Sequence, residues 1–304
     1  MRLAIGLVTF GGGVWLLVES VEGLISALRA WALAAGLSGV LVGAFVLGFD
    51  VESTAAGVAA TLDGLPGTAL GASVGAAIFL VTAGLGIAAL IAPFRVRPPG
   101  ALLAAAALAT ALAVALAGDG RLTRVDGAIL LASFVPLVAL VVLRRPPSAP
   151  PEGPRPQRPR RLVLRVAAGL AGLIAGAELL VFGTGRVVSE LGLSESAFGL
   201  LVVGAAVSFE EVVLEALPAF RGFPELSVGN ALGTLVFLLT GSLGVIVLAG
   251  PIAVPASVTS YHLPALAITV ALAGGLLARG RMGRAEGALL VAAYVAYALG
   301  AVLR

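Results

Sequence analysis

The chain writes one pattern twice. Residues 48–86 recur as residues 206–244 at a constant offset of 158 residues, without a gap. Glu52 meets Glu210, Gly64 meets Gly222, Pro66 meets Pro224, Gly71 meets Gly229 and Gly75 meets Gly233. Phe79, Thr82 and Gly86 meet Phe237, Thr240 and Gly244. Both copies set acids in the middle of long apolar stretches. Repeated apolar halves with acids inside them are the sequence mark of a secondary transporter, because such proteins build their ion site where two repeats meet.

Composition supports a bilayer as the solvent. Of 304 residues, 60% are hydrophobic and 12% charged, with a mean hydropathy of +1.10. A water-soluble domain of this size cannot hide that much apolar side chain, whereas each membrane-spanning helix needs about 20 such residues. The absence of cysteine excludes disulfides and thiolate metal sites. A single histidine, His262, excludes multi-histidine metal centres and most histidine-based catalysis. All nineteen basic residues are arginine. They cluster beside apolar runs, which reads as membrane topology and not as a nucleic-acid surface. Residues 1–34 carry too long an apolar run, with Glu19 and Glu22 inside it, to read as a cleaved signal.

Apolar runs bounded by Arg, Pro, Gly or acids predict ten spans: 3–30, 36–62, 67–92, 100–118, 124–143, 162–188, 194–220, 226–250, 258–278 and 285–303. The expected fold class is an all-α membrane protein with ten transmembrane helices in two inverted five-helix repeats. Residues 144–161 (RRPPSAPPEGPRPQRPRR) form the linker, whose prolines favour extended, solvated chain. The first repeat is then 1–143 and the second 162–304. Arg124-Val-Asp-Gly-Ala-Ile-Leu-Leu-Ala and Arg284-Ala-Glu-Gly-Ala-Leu-Leu-Val-Ala carry the repeat to the end of each half. Five is odd, so the second half enters the membrane from the opposite side. With the linker in the cytoplasm, fourteen arginines fall inside and five outside. The positive-inside rule therefore places both termini outside, in a multi-pass plasma-membrane protein.

Asp50 and Glu52 lie near the centre of the second span, and Glu210 and Glu211 near the centre of the seventh. A charged group at mid-membrane costs about 2.5–3.5 kcal/mol on insertion scales. Neither span offers an arginine at that depth, so four carboxylates must hold a cation, share protons or line water. Asp50 and Ser53 share a helical face at i, i+3, as do Ser208 and Glu211, while Glu52 and Glu210 point to a neighbouring face. Hard cations take oxygen ligands, typically six to eight for Ca²⁺. These six side chains, with main-chain carbonyls released by a helix break at Gly48 or near Ala205-Ala206, are the expected ligand set.

At these residues the chain resembles the sodium/calcium exchanger family, within the calcium/cation antiporter superfamily. Each family copy carries G-T-S-x-P-E, then G-N-x-x-G-S-N-x-x-N/D. Ala206-Val-Ser208-Phe-Glu210-Glu211 stands for the first motif and Gly229-Asn230-Ala-Leu-Gly233-Thr234-Leu235 for the second. Gly176-Ala-Glu178-Leu-Leu-Val and Gly192-Leu-Ser also resemble the family. The resemblance implies ten helices in two inverted repeats, Glu211 as an ion-binding glutamate and Asn230 as a ligand. This chain departs from the pattern elsewhere. Ser53 falls on the family's glutamate position in the first copy, Asp50 on its serine, and Glu52 and Glu210 on its prolines. Gly71-Ala72-Ser-Val-Gly75-Ala76-Ala77 lacks both asparagines, and Leu80 and Leu238 replace the last polar ligand. The family's sodium sites use those side chains, whereas proton exchange needs only carboxylates.

The expected function is cation antiport by alternating access, exchanging Ca²⁺ or another cation for Na⁺ or H⁺, with no cofactor and no enzymatic activity. The expected partners are the lipid bilayer and inorganic cations, with no nucleic acid and no evident protein partner. Monovalent Na⁺/H⁺ exchange is the alternative, and a non-transporting sensor or scaffold a further one. An intramembrane glutamate protease is disfavoured, since Glu215 stands where an arginine is needed and His262 is alone. Trp15, Trp31 and His262 read as packing or interface residues. Glu19, Glu22 and Glu178 lie in the first and sixth spans, on an access path or on a solvated face.

Overall fold

The computed structural model describes residues 2–35, 38–144, 159–190 and 204–303. Ten helical segments run through them: span one Arg2–Ala35, span two Gly39–Leu62, span three Pro66–Ile91, span four Gly100–Ala117 and span five Arg124–Leu143. Span six is Pro159–Glu190, span seven Gly204–Phe220, span eight Pro224–Ala249, span nine Val258–Ala278 and span ten Arg284–Val302. Among the described residues, nine of these segments are long and apolar enough to cross a membrane. The predicted start of span seven (194–203), the motif Gly192-Leu-Ser and most of the linker (145–158) lie outside the described residues. Span six begins at Pro159, inside the predicted linker. Proline is well placed there, because the first helical position needs no N–H donor and its φ is already helical.

The matched residues of the repeat are architectural. Gly64 and Gly222 turn the chain with φ of 71° and 83°, a left-handed conformation that only glycine adopts without strain. Both turns close with the same bonds: Leu65 N–H donates to Ala60 O at 2.8 Å, and Phe223 N–H to Pro218 O at 2.8 Å. Pro66 and Pro224 then open spans three and eight at the first helical turn. Gly86 of span three meets Gly287 of span ten, and Gly244 of span eight meets Gly127 of span five. A Cβ on Gly86 would lie 2.9 Å from Gly287 O, and one on Gly244 2.9 Å from Gly127 O. The two crossings are one contact made twice, each joining a span of one half to a span of the other. The Arg-x-Asp/Glu-Gly motif is thereby explained. Its acid caps the helix, with Thr123 N–H donating to Asp126 at 2.7 Å and Gly283 N–H to Glu286 at 3.0 Å, and its glycine lets the helices touch.

Cross-half contacts show the inversion. Arg121–Leu122, between spans four and five, pairs antiparallel with Ile252–Ala253, between spans eight and nine. At the other end Phe94, between spans three and four, bridges Met282, between spans nine and ten. Arg29, near the end of span one, stacks 3.8 Å over the ring of Phe223, between spans seven and eight. Each pairing joins loops that the inverted arrangement puts on one side of the membrane.

The buried side chains fall into two groups. One runs continuously through spans two, three, four, five, seven, eight, nine and ten. The other joins spans one and six, from Leu17, Leu24 and Leu28 to Leu173, Ala177 and Leu180. It also takes in Val42 and Leu47 of span two and Leu226 of span eight.

Candidate cation site

Span two is interrupted where its acids lie. Its first half ends in a π-helical turn, Gly43–Leu47, the chain leaves helical geometry at residues 48–50, and a new helix starts at Val51. Asp50 caps that new helix, its Oδ1 accepting from Ser53 N–H at 2.8 Å. An aspartate is a favourable cap, since it satisfies an orphan donor and sits at the positive end of the helix dipole. Asp50 and Ser53 are therefore joined, as their spacing suggests, through the main chain of Ser53. Of the two places where a break was expected, the one beside Gly48 is present and releases carbonyls from helical pairing, whereas span seven is helical through Ala205 and Ala206.

The acids of the two halves converge at this break. The carboxyls of Glu52 and Glu210 lie close enough to interact directly, with Asp50 and Glu178 within electrostatic reach of Glu52. Two carboxyls meet that closely only with a proton between them or a cation across them. Glu211 lies within reach of both Asp50 and Glu210. Asp50, Glu52, Glu210 and Glu211 thus form one connected group drawn from spans two and seven, and Glu178 joins it from span six. Ser208 lies on span seven, with its side chain outside the described part. Among the described residues no three carboxylate or imidazole side chains close around a single point.

Asn230 is the expected ligand on span eight. It is buried on span eight, its Oδ1 accepts from Thr234 Oγ1 at 3.3 Å, and its main-chain nitrogen lies under Gly43 of span two. Among the described residues it makes no hydrogen bond to the acids. His262 bonds through Nδ1 to Tyr297 Oη at 2.8 Å, tying span nine to span ten, and Glu22 pairs with Arg221. Trp15 is 65% exposed on the outer face of span one.

Three polar features escape a motif-based reading. Thr54 Oγ1 donates to Ser242 Oγ at 2.8 Å, joining span two to span eight. Tyr294 of span ten lies within electrostatic reach of Glu211. Glu215 is fully buried one turn beyond Glu211. Its i, i+4 spacing from Glu211, in an otherwise apolar run, was the available signal.

The model of the family described as "Sodium/calcium exchanger protein" matches residues 5–143 and 161–303. The chain belongs to the sodium/calcium exchanger protein family. A member of this family is a cation antiporter. The chain is 27% identical over 305 residues to the putative antiporter CaxA of Alkalimonas amylolytica, covering 94% of this chain and 95% of the relative. It is 28% identical over 123 residues to the inner membrane protein YrbG of Escherichia coli K12, covering 40% of this chain and 38% of that one. Among solved structures, it resembles the sodium-calcium exchanger NCX_Mj soaked with 100 mM Na⁺ and 10 mM Sr²⁺, with a TM-score of 0.84 and 23% identity over 96% of this chain and 97% of that one. The same exchanger soaked with 2.5 mM Na⁺ and 0.1 mM Ca²⁺ gives a TM-score of 0.83 at 23% identity, over 95% and 96%. The fold of this exchanger-family chain is ten helices in two inverted five-helix repeats.

Proposed function

We propose that this exchanger-family chain moves a cation, with Ca²⁺ the preferred candidate, through the carboxylates Asp50, Glu52, Glu210 and Glu211, in exchange for H⁺ or Na⁺. The observation that carries the reading is the meeting of Glu52 and Glu210 across the repeat boundary, at a break in span two. A set of acids drawn from both halves neutralises a cation only when the halves are held together, which suits a site that faces each side in turn. Ser53, Ser208 and main-chain carbonyls at the break complete the oxygen set. Asn230, buried on span eight, is a further candidate ligand. Spans one and six supply the moving part, since their buried side chains form a second cluster, which takes in only Val42, Leu47 and Leu226 among the buried residues of other spans. The chain lies in the plasma membrane with both termini outside and the 144–161 linker in the cytoplasm.

Uptake of radioactive calcium into proteoliposomes, driven by an imposed Na⁺ or pH gradient, tests the reading. Gradient-driven uptake by the wild-type chain, lost in Glu211→Gln, is the expected result. Absence of gradient-driven flux of any cation contradicts it.

A further inference from the structure

Glu215 is the acid that the cation site leaves unused. It is 0% exposed, and among the described residues neither carboxyl oxygen has a hydrogen-bond partner. It stands one turn beyond Glu211 on span seven and faces Gly84, in the π-helical turn Leu80–Gly84 of span three. The fit is close, for a Cβ on Gly84 would lie 2.9 Å from Glu215 Cδ. Turns of this kind inside α-helices frequently mark functional sites.

The surroundings decide what Glu215 binds. Span three carries no titratable residue between positions 66 and 91. Span eight carries Glu225 in its first turn, span one Glu19, Glu22 and Arg29, span six Arg165, Glu178 and Arg186, and span ten Tyr294. Among the described residues, Glu211 is the charged group within electrostatic reach of Glu215. A bare carboxylate cannot stay in such a wall without a positive partner. A metal ion would need several further oxygens, and the turn that holds Gly84 is otherwise Leu80, Val81, Thr82 and Ala83, with the Thr82 hydroxyl already donating to Ile78 O. A proton needs none.

The other half of the molecule has no such pocket. The repeat partner of Glu215 is Gly57, which packs against the side chain of Ile246. The partner of Gly84 is Ser242, whose hydroxyl bonds Thr54. The acid and the glycine that makes room for it occur together, in one copy.

We propose that Glu215, in its niche against Gly84, is a proton site of the transport cycle, filled when the cation has left Glu211 and emptied when the cation returns. This rests on cation exchange at the neighbouring acids. The step is simple. The carboxylate takes H⁺ from water on one side to form an O–H bond, and that bond breaks to return H⁺ to water on the other. A cation at Glu211, one turn away, repels the proton, so the two ions travel in opposite directions.

The test uses the full chain in proteoliposomes, with radioactive calcium as the tracer and a pH-sensitive dye in the lumen. Two rates are compared: calcium self-exchange at equal pH on both sides, and calcium uptake driven by a pH gradient. In Glu215→Gln, self-exchange stays within about twofold of wild type while pH-driven uptake falls about tenfold or more, and fewer protons move per calcium. Glu215→Asp restores pH-driven uptake with a displaced pH profile. Two results overturn the proposal: an unchanged proton count and pH profile in Glu215→Gln, or loss of self-exchange along with pH-driven uptake in a variant that still folds by thermal unfolding. Absence of self-exchange in the wild-type chain is a different failure, that of the cation site itself.

Discussion

The two ends of the membrane site are built from matching helices of the two repeats and opposite chemistry. Where span two meets the end of span eight, Thr54 and Ser242 share a hydrogen bond and Gly57 receives Ile246. Where span seven meets the end of span three, Val212 replaces Thr54, Gly84 replaces Ser242 and Glu215 replaces Gly57. Around these positions the glycine crossings and turn glycines match residue for residue. The comparison teaches that the repeat preserves packing and varies polarity. Helix crossings tolerate little change in volume, whereas an ion path through two inverted halves has no need to carry the same acid on both sides.

Substitutions at matched positions separate what the two halves share from what they do not. The largest difference is expected at a matched pair with unlike chemistry. Glu211→Gln lowers calcium flux about 100-fold, whereas Ser53→Ala, its repeat partner, changes it about threefold or less. Comparable losses at both positions would make the two halves chemically equivalent. Next come the crossings. Gly86→Ala and Gly244→Ala each press a methyl against a facing main chain and cost about 1–3 kcal/mol of stability. Thermal unfolding in detergent should show equal losses, because the contacts are equal, and a loss in one variant alone would end the equivalence of the halves. The hydroxyl pair follows. Ser242→Ala removes one hydrogen bond and costs about 1 kcal/mol, Thr54→Val removes that bond and the one to Asp50 O and costs about 1–2 kcal/mol, and the double variant costs little more than Thr54→Val alone. Additive losses would show that the hydroxyls act separately. The smallest effect is expected at the cap of span five. Thr123→Gly reproduces the glycine found at 283 and costs a few tenths of a kcal/mol. A larger loss would give Thr123 a role its counterpart lacks.

The repeat made most of the architecture legible. Ten spans, their inversion and the break at Gly48 all follow from apolar run lengths, an odd span count and a glycine before a capping aspartate. Charges that are costly in a membrane are conspicuous in a sequence, so Asp50, Glu52, Glu210 and Glu211 could be named as a group. Pairings between spans were not legible. That Glu52 meets Glu210, that Glu178 approaches from span six and that Asn230 turns to Thr234 depend on how helices rotate against each other, which spacing within one helix does not specify. Glu215 was visible as a residue. Its niche was not, because Gly84 lies far away in the sequence and one more glycine among 41 carries no signal. The start of span six shows a local limit: prolines in the linker argue for extended chain, yet a proline is also a good first residue of a helix.

The central claim is that the acids of spans two and seven act as one site. A double-mutant cycle on calcium flux, with Glu52→Gln, Glu210→Gln and the pair, tests it most directly. A shared site predicts that each single variant slows flux about tenfold and that the pair slows it by about the same factor, because either change already breaks the contact. A pair slowed about 100-fold, the product of the two single effects, would mean that Glu52 and Glu210 act independently and would contradict a site assembled across the two halves.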